Sequence, residues 1–136
     1  MEKMHLDEAA KHSLTLTEKE NWADCFIGID PIENAVLFIK TSLDANHATV
    51  IQLADVKHCN VIKKIKPIKN KGKTENLLDR VALEFIYFGN NKLNTTLEFY
   101  HSDGDYREDF EMKRAEKWHT LVNKQLAALR SPAKVA

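Results

Sequence analysis

The chain has 136 residues, 43% of them hydrophobic and 29% charged, with four glycines, three prolines and a formal net charge of zero. That length suits a single domain with an ordinary core of its own, and the composition excludes a disordered or fibrous chain. Zero net charge argues against a dedicated nucleic-acid binder, whose partner demands an excess of basic residues, and leaves only local patches to consider.

The N-terminus, MEKMHLDEAAKHS, is charged and lacks the apolar stretch of a secretory signal. No run of about 18 apolar residues follows, so a cytoplasmic setting is expected, with at most a peripheral place on a membrane. Residues 1–22 read as a helical preface. HLDEAAKH (5–12) is built of good helix formers, and Thr17 with Glu20 three positions on forms a capping box ahead of Asn21 and Trp22.

From 24 to 102 the pattern changes to strands. DCFIGID (24–30) is short and apolar, and after the turn-prone Asp30-Pro31 comes AVLFIKT (35–41), dense in β-branched and aromatic residues. TVIQL (49–53) and VKHCNVIKKI (56–65) are further strand candidates. In RVALEFIYF (80–88) both faces carry apolar side chains. KLNTTLEFYH (92–101) then alternates at period two after the turn Gly89-Asn90-Asn91, so the two segments form a hairpin.

Past HSDGD (101–105) the period switches to that of a helix. Ala115, Trp118, Leu121, Val122, Gln125, Leu126 and Leu129 make one apolar stripe, predicting a helix within 106–130 that starts between 106 and 112. Asp105, Glu108, Asp109 and Glu111 crowd its start, where the helix dipole favours negative charge, and Arg130 before Ser131-Pro132 marks its stop. The predicted fold class is α+β, mainly β. About six strands form an antiparallel bent sheet or partly open small barrel, capped by one C-terminal amphipathic helix whose Trp118, Leu121 and Val122 form the structural cap.

VALEFIYF (81–88), TLEFYHSD (96–103) and AEKWHTLVNKQL (115–126) together resemble the pleckstrin-homology-like superfamily, in which a bent antiparallel barrel is capped by one helix whose tryptophan packs into it. Trp118 stands in the tryptophan's place, and the resemblance covers the last two-fifths of the chain most fully. Seven strands are usual in that family against about six here. The basic run also falls late in the strand order, whereas lipid-binding members carry theirs around the first hairpin, so no ligand residues transfer. What the resemblance implies is a non-catalytic scaffold that docks a protein or peptide, in some cases at a membrane surface.

The basic run is KKIKPIKNKGK (63–73), with Lys63, Lys64, Lys66, Lys69, Lys71 and Lys73. Pro67 and Gly72 predict an exposed loop between two strands. Such a loop either solubilises the chain and protects a sheet edge or binds an anionic lipid, a nucleic acid or an acidic partner. No aromatic residue in the run is available to stack bases, which counts against single-stranded nucleic acid.

Catalytic and metal signals are sparse. Cys25 and Cys59 lack CxxC spacing and read as small buried hydrophobes. His101, Asp103 and Asp105 do not match an EF-hand loop, and the chain contains no nucleotide-binding glycine pattern, no nucleophile elbow and no HExxH. No metal or cofactor is expected. Were the chain an enzyme, His58, His101 and Asp103 would be the first residues to test.

Overall fold

The computed structural model describes residues 2–41, 45–89, 93–102 and 110–130. The chain divides into two compact units, Met1–Asp55 and Val56–Ala136.

The first unit opens with helix α1 (Glu2–Lys11). Its end is a Schellman motif: Ser13 takes a φ of 57°, Leu14 N–H donates to Ala9 C=O at 2.9 Å, and Ser13 N–H donates to Ala10 C=O at 3.0 Å. Four antiparallel strands follow in sequential order: β1 (Glu18–Trp22), β2 (Cys25–Asp30), β3 (Ala35–Thr41) and β4 (Asn46–Gln52). A 3-10 turn, Leu53–Asp55, closes the unit.

β1 corrects the expected capping box at Thr17 and Glu20. Thr17 N–H donates to Ile29 C=O at 3.0 Å, and Glu18 to Trp22 pair with Ile29 to Cys25 across a tight turn at Ala23-Asp24. Ladder partners on the apolar β2 outweigh the local helical preference of EKENW.

The core of this unit gathers Ala9 from α1, Phe26 from β2, and Leu37 and Ile39 from β3, with Leu14, Leu16 and Val50 against them. Gly28 makes room for that arrangement, because a Cβ there would lie 2.6 Å from the Cδ1 of Leu16. The turn between β2 and β3 is pinned by Asp30, which is 2% exposed. Its Oδ1 accepts from the amides of Ile32 at 2.9 Å and Glu33 at 3.0 Å, while Oδ2 accepts from the Thr15 amide at 2.7 Å. One carboxylate thus ties the segment after α1 to the β2–β3 turn.

The second unit is a three-stranded antiparallel sheet, β5 (Val56–Asn70), β6 (Lys73–Tyr87) and β7 (Thr95–His101), followed by α2 (Glu111–Arg130). The helix lies against all three strands. Ala115, Trp118, Val122 and Leu126 are buried on its inner stripe, and Val81, Leu83, Phe85, Leu97 and Phe99 are buried on the strands. Trp118 and Val122 have no exposed surface, as the sequence periodicity anticipates, whereas Leu121 is only half-buried.

The α+β class, the antiparallel strands and the C-terminal helix match the expectation. Among the described residues there are seven strands in two sheets and no closed barrel, in place of the about six strands of one bent sheet or small barrel that the sequence suggests. Asp103, Asp105, Glu108, Asp109, and the Asn90-Asn91 part of the β6–β7 turn lie outside the described residues.

Candidate functional site

The lysine run is not a loop. Lys63, Lys64, Lys66 and Lys69 belong to β5, Lys71 occupies the turn, and Lys73 starts β6. From Ile65↔Leu78 the strand register continues without a gap to the pair Asn70↔Lys73. Two-residue turns suit hairpins when both central residues have positive φ, and here Lys71 adopts 52° and Gly72 adopts 80°. Counting back from that turn, Pro67 opposite Asn76 falls on a non-hydrogen-bonded pair. Its nitrogen therefore faces away from β6, and the missing N–H costs the ladder nothing. Proline and glycine, which suggested a loop, are here a tolerated edge residue and a hairpin turn.

β7 pairs with β6 only over Arg80 to Phe85. Beyond that, six pairs from Ile65↔Leu78 to Asn70↔Lys73 form a two-stranded arm, extending roughly 20 Å at the usual rise per residue. Where the third strand ends, β6 carries a bulge at Asp79, between the pairs Lys64↔Arg80 and Ile65↔Leu78. Ser102 holds that bulge: its amide donates to Asp79 C=O at 2.8 Å and its hydroxyl to Asp79 Oδ1 at 2.5 Å. The Ser102 hydroxyl, chiefly, sets the Asp79 carboxyl below its ordinary pKa. Partial desolvation opposes this, and the charges of His101, Lys66 and Lys64 add to the lowering.

Residues 63–78 carry six lysines against one acidic residue, Glu75. All six lysines are exposed, and none forms an ion pair with a described carboxylate. Alternation along the strands and the observed register put Lys63 and Lys69 on one face and Lys64, Lys66 and Lys73 on the other, with Lys71 at the tip. Apolar side chains interrupt the charge on both faces, Ile65 and Leu78 on the first and Ile68 and Leu77 on the second. Ile65 is 50% exposed on the first face, and Leu77, opposite Lys66, is 47% exposed on the second.

The neutral net charge conceals a segregation. Up to Asp55 the sequence carries 4 basic and 10 acidic residues, and from Val56 onward 16 basic and 10 acidic. The first unit is thus formally −6 and the second +6. The signal was present in the sequence but needed the unit boundary to be visible, and it removes the objection that overall neutrality raised against polyanionic partners.

At the opposite end of β5 the strand edge is occupied. Arg130 donates to Val56 C=O at 2.5 Å and also to Lys57 C=O, and His119 Nε2 lies 2.9 Å from Cys59 C=O. Side chains of α2 therefore satisfy the outward carbonyls there. From sequence Arg130 is only a helix stop and His119 carries no signal, because their partners are main-chain atoms about 60 to 74 positions away.

The histidines considered for catalysis are not brought together. His58 pairs with Ile86 and His101 with Arg80, placing them six residues apart along β6, roughly 20 Å. Asp103 lies outside the described residues. No group of three or more His, Cys, Asp or Glu side chains able to hold a metal occurs among the described residues. Both cysteines are buried and free, and burial, reinforced by the charge of Glu84, pushes the Cys59 thiol up to about 12. No described helix is long and apolar enough to cross a membrane.

Comparisons with family models, curated proteins and solved structures give no match.

Proposed function

We propose that the protein is a non-catalytic interaction module of pleckstrin-homology-like architecture that docks a polyanionic partner through the β5–β6 arm. The observation that carries this reading is the arm itself. Lys66, Lys69, Lys71 and Lys73 sit exposed on a two-stranded projection with a single carboxylate, Glu75, and Lys63 and Lys64 are exposed at its base. A sheet edge needs only one or two lysines to discourage pairing, and Pro67 already serves that end, so protection alone leaves most of this charge unexplained.

The architecture is supported by strand number and by the element that ends the fold. Seven antiparallel strands and then a single helix with a fully buried Trp118 agree with the strand number and closing helix that the resemblance implies, with α1 added in front. Scaffolds of this kind also dock peptides by strand addition. Here the carbonyls of Val56, Lys57 and Cys59 already have partners on α2, which favours the arm over that stretch of edge as the point of contact.

The test compares the wild type with a variant in which all six lysines are glutamine, on immobilised heparin and on anionic vesicles. Binding that weakens steeply with salt and disappears in the variant is expected. Equal retention of both proteins would remove the reading.

A further inference from the structure

We infer that the polyanion received by the arm is double-stranded DNA, with the two-stranded ribbon entering the major groove and its lysines meeting phosphates on both walls. This rests on the reading of the arm as a polyanion-docking element and narrows it to one partner.

The distribution of side chains around the ribbon decides between partners. A planar anionic surface, such as a lipid headgroup layer, meets one face of a ribbon or its tip. On this arm it would leave either Lys69 or Lys66 and Lys73 pointing away, and Lys63 and Lys64 at its base are divided between the two faces in the same way. The apolar residues divide in the same manner. A membrane-inserting ribbon gathers its apolar side chains on one face, yet Ile65 and Leu77 project from opposite faces. A groove with phosphates along both rims can engage both faces and the tip at once.

Dimensions agree. Two paired strands are about 4.8 Å apart and, with side chains, fill a slot on the order of 10 Å, while the B-form major groove is about 12 Å wide and admits a two-stranded ribbon. The A-form duplex of RNA has a deep, narrow major groove that does not. Single strands are disfavoured because residues 63–78 include no aromatic side chain on which bases could stack. The arm contacts are nearly all lysine, and lysine to phosphate carries no sequence information, so the binding is indifferent to base sequence. Residues 63–78, with six lysines and one glutamate, hold +5 of the second unit's +6, whereas the first unit, at −6, offers the same duplex no net attraction.

The experiment titrates the full chain into a fluorescent B-form duplex of about 20 base pairs at salt from about 50 to 200 mM. The same titration is run on an RNA duplex of equal length, on phosphatidylserine vesicles and on polyglutamate. Two double variants divide the faces: Lys63→Gln with Lys69→Gln, and Lys64→Gln with Lys66→Gln. All four side chains are exposed, so the fold should be kept, which buried-tryptophan emission verifies.

For the wild type on DNA, log K against log salt should fall with a slope of about −4 to −5. Each double variant should flatten the slope by about 2 and weaken binding roughly tenfold to a hundredfold, because both faces are engaged. RNA should bind distinctly more weakly than DNA. If only one double variant affects binding, or RNA binds as well as DNA, the groove placement is overturned. If vesicles or polyglutamate bind in a lysine-dependent way and DNA does not, the DNA inference falls while the docking role of the arm stands. If no probe shows lysine-dependent binding, both fall.

Discussion

Arg130, the last residue of α2, donates to the carbonyl of Val56, the first residue of β5, at 2.5 Å, and its guanidinium lies 5.2 Å from the centroid of the Phe88 ring. The end of the helix is thereby clamped to the start of the sheet it covers. The same nitrogen, Nη2, also donates to Lys57 C=O, and the planar guanidinium makes these two bonds while lying near the Phe88 ring, a combination that a compact lysine ammonium matches only in part. Replacing Arg130 with alanine should cost about 1 to 2 kcal/mol, and the lysine variant should recover only part of that. Urea midpoints of the three proteins check the ranking; an alanine variant as stable as wild type would show the clamp to be decorative.

Trp118 stabilises the same unit more strongly than the clamp does. It is the largest fully buried side chain, and truncation to alanine should cost about 3 to 5 kcal/mol through lost transfer energy and the cavity left behind. Val122 and Leu121 provide the internal control. Leu121 is the bigger residue but only half-buried, so Val122→Ala should be at least as damaging as Leu121→Ala. Denaturation curves with the reverse order would mean that the stripe is rotated from the one observed.

This stripe was legible in the sequence because a helix on a sheet needs only its own period. The strands of VALEFIYF and TLEFYH were legible for the same reason, at period two. What escaped is instructive. EKENW has no apolar alternation and becomes β1 only because β2 offers it a ladder, a partner that local pattern cannot register. KKIKPIKNKGK reads as a loop by composition, yet its turn is confined to Lys71-Gly72 and the remaining lysines alternate across a ribbon. The six candidate lysines were identifiable from residue type alone. Their division between two faces, which carries the functional argument, required the register.

Asp30 makes the first unit sensitive to acid. Burial raises the cost of its charge, but the amides of Thr15, Glu33 and Ile32 outweigh that and bring its pKa below the ordinary 3.8. A carboxyl depressed in the folded state contributes stability that is complete above its unfolded pKa and is lost as pH falls through the folded one. Stability should therefore decline below about pH 3.8, with the lowered Asp79 adding to the slope in the same window. Asp30→Asn should cost about 1 to 3 kcal/mol at neutral pH, since its amide group can accept through one oxygen only, and should make the acid limb shallower. Thermal midpoints of wild type and variant between neutral pH and about pH 3 measure both effects.

Cys59 and Cys25 should be silent to thiol reagents in the folded protein. The thiolate is the reactive form, and the Cys59 thiol, pushed up to about 12, supplies almost none of it at neutral pH, while burial shields Cys25 from the reagent. Labelling by a disulfide reagent should be slow in buffer and complete in strong denaturant. Fast modification of one cysteine under native conditions would reveal local opening of the strand that bears it.

Gly72 tests whether the arm is an independent element. Its φ of 80° is open to any glycine but strained for a residue with a Cβ, although nothing lies within 4 Å of the position such a Cβ would take. The cost of Gly72→Ala is therefore conformational, about 1 kcal/mol, and falls on the hairpin turn. Because Ile65, Leu77 and the lysines around them are exposed, that loss should fray residues 65–78 and leave the Trp118 core at nearly its original stability. Amide exchange should accelerate in the arm alone, and affinity for a duplex should drop although every lysine remains. A variant that frays the arm yet binds DNA as the wild type does would show that charge without the ribbon suffices, and the groove-filling geometry would lose its main support.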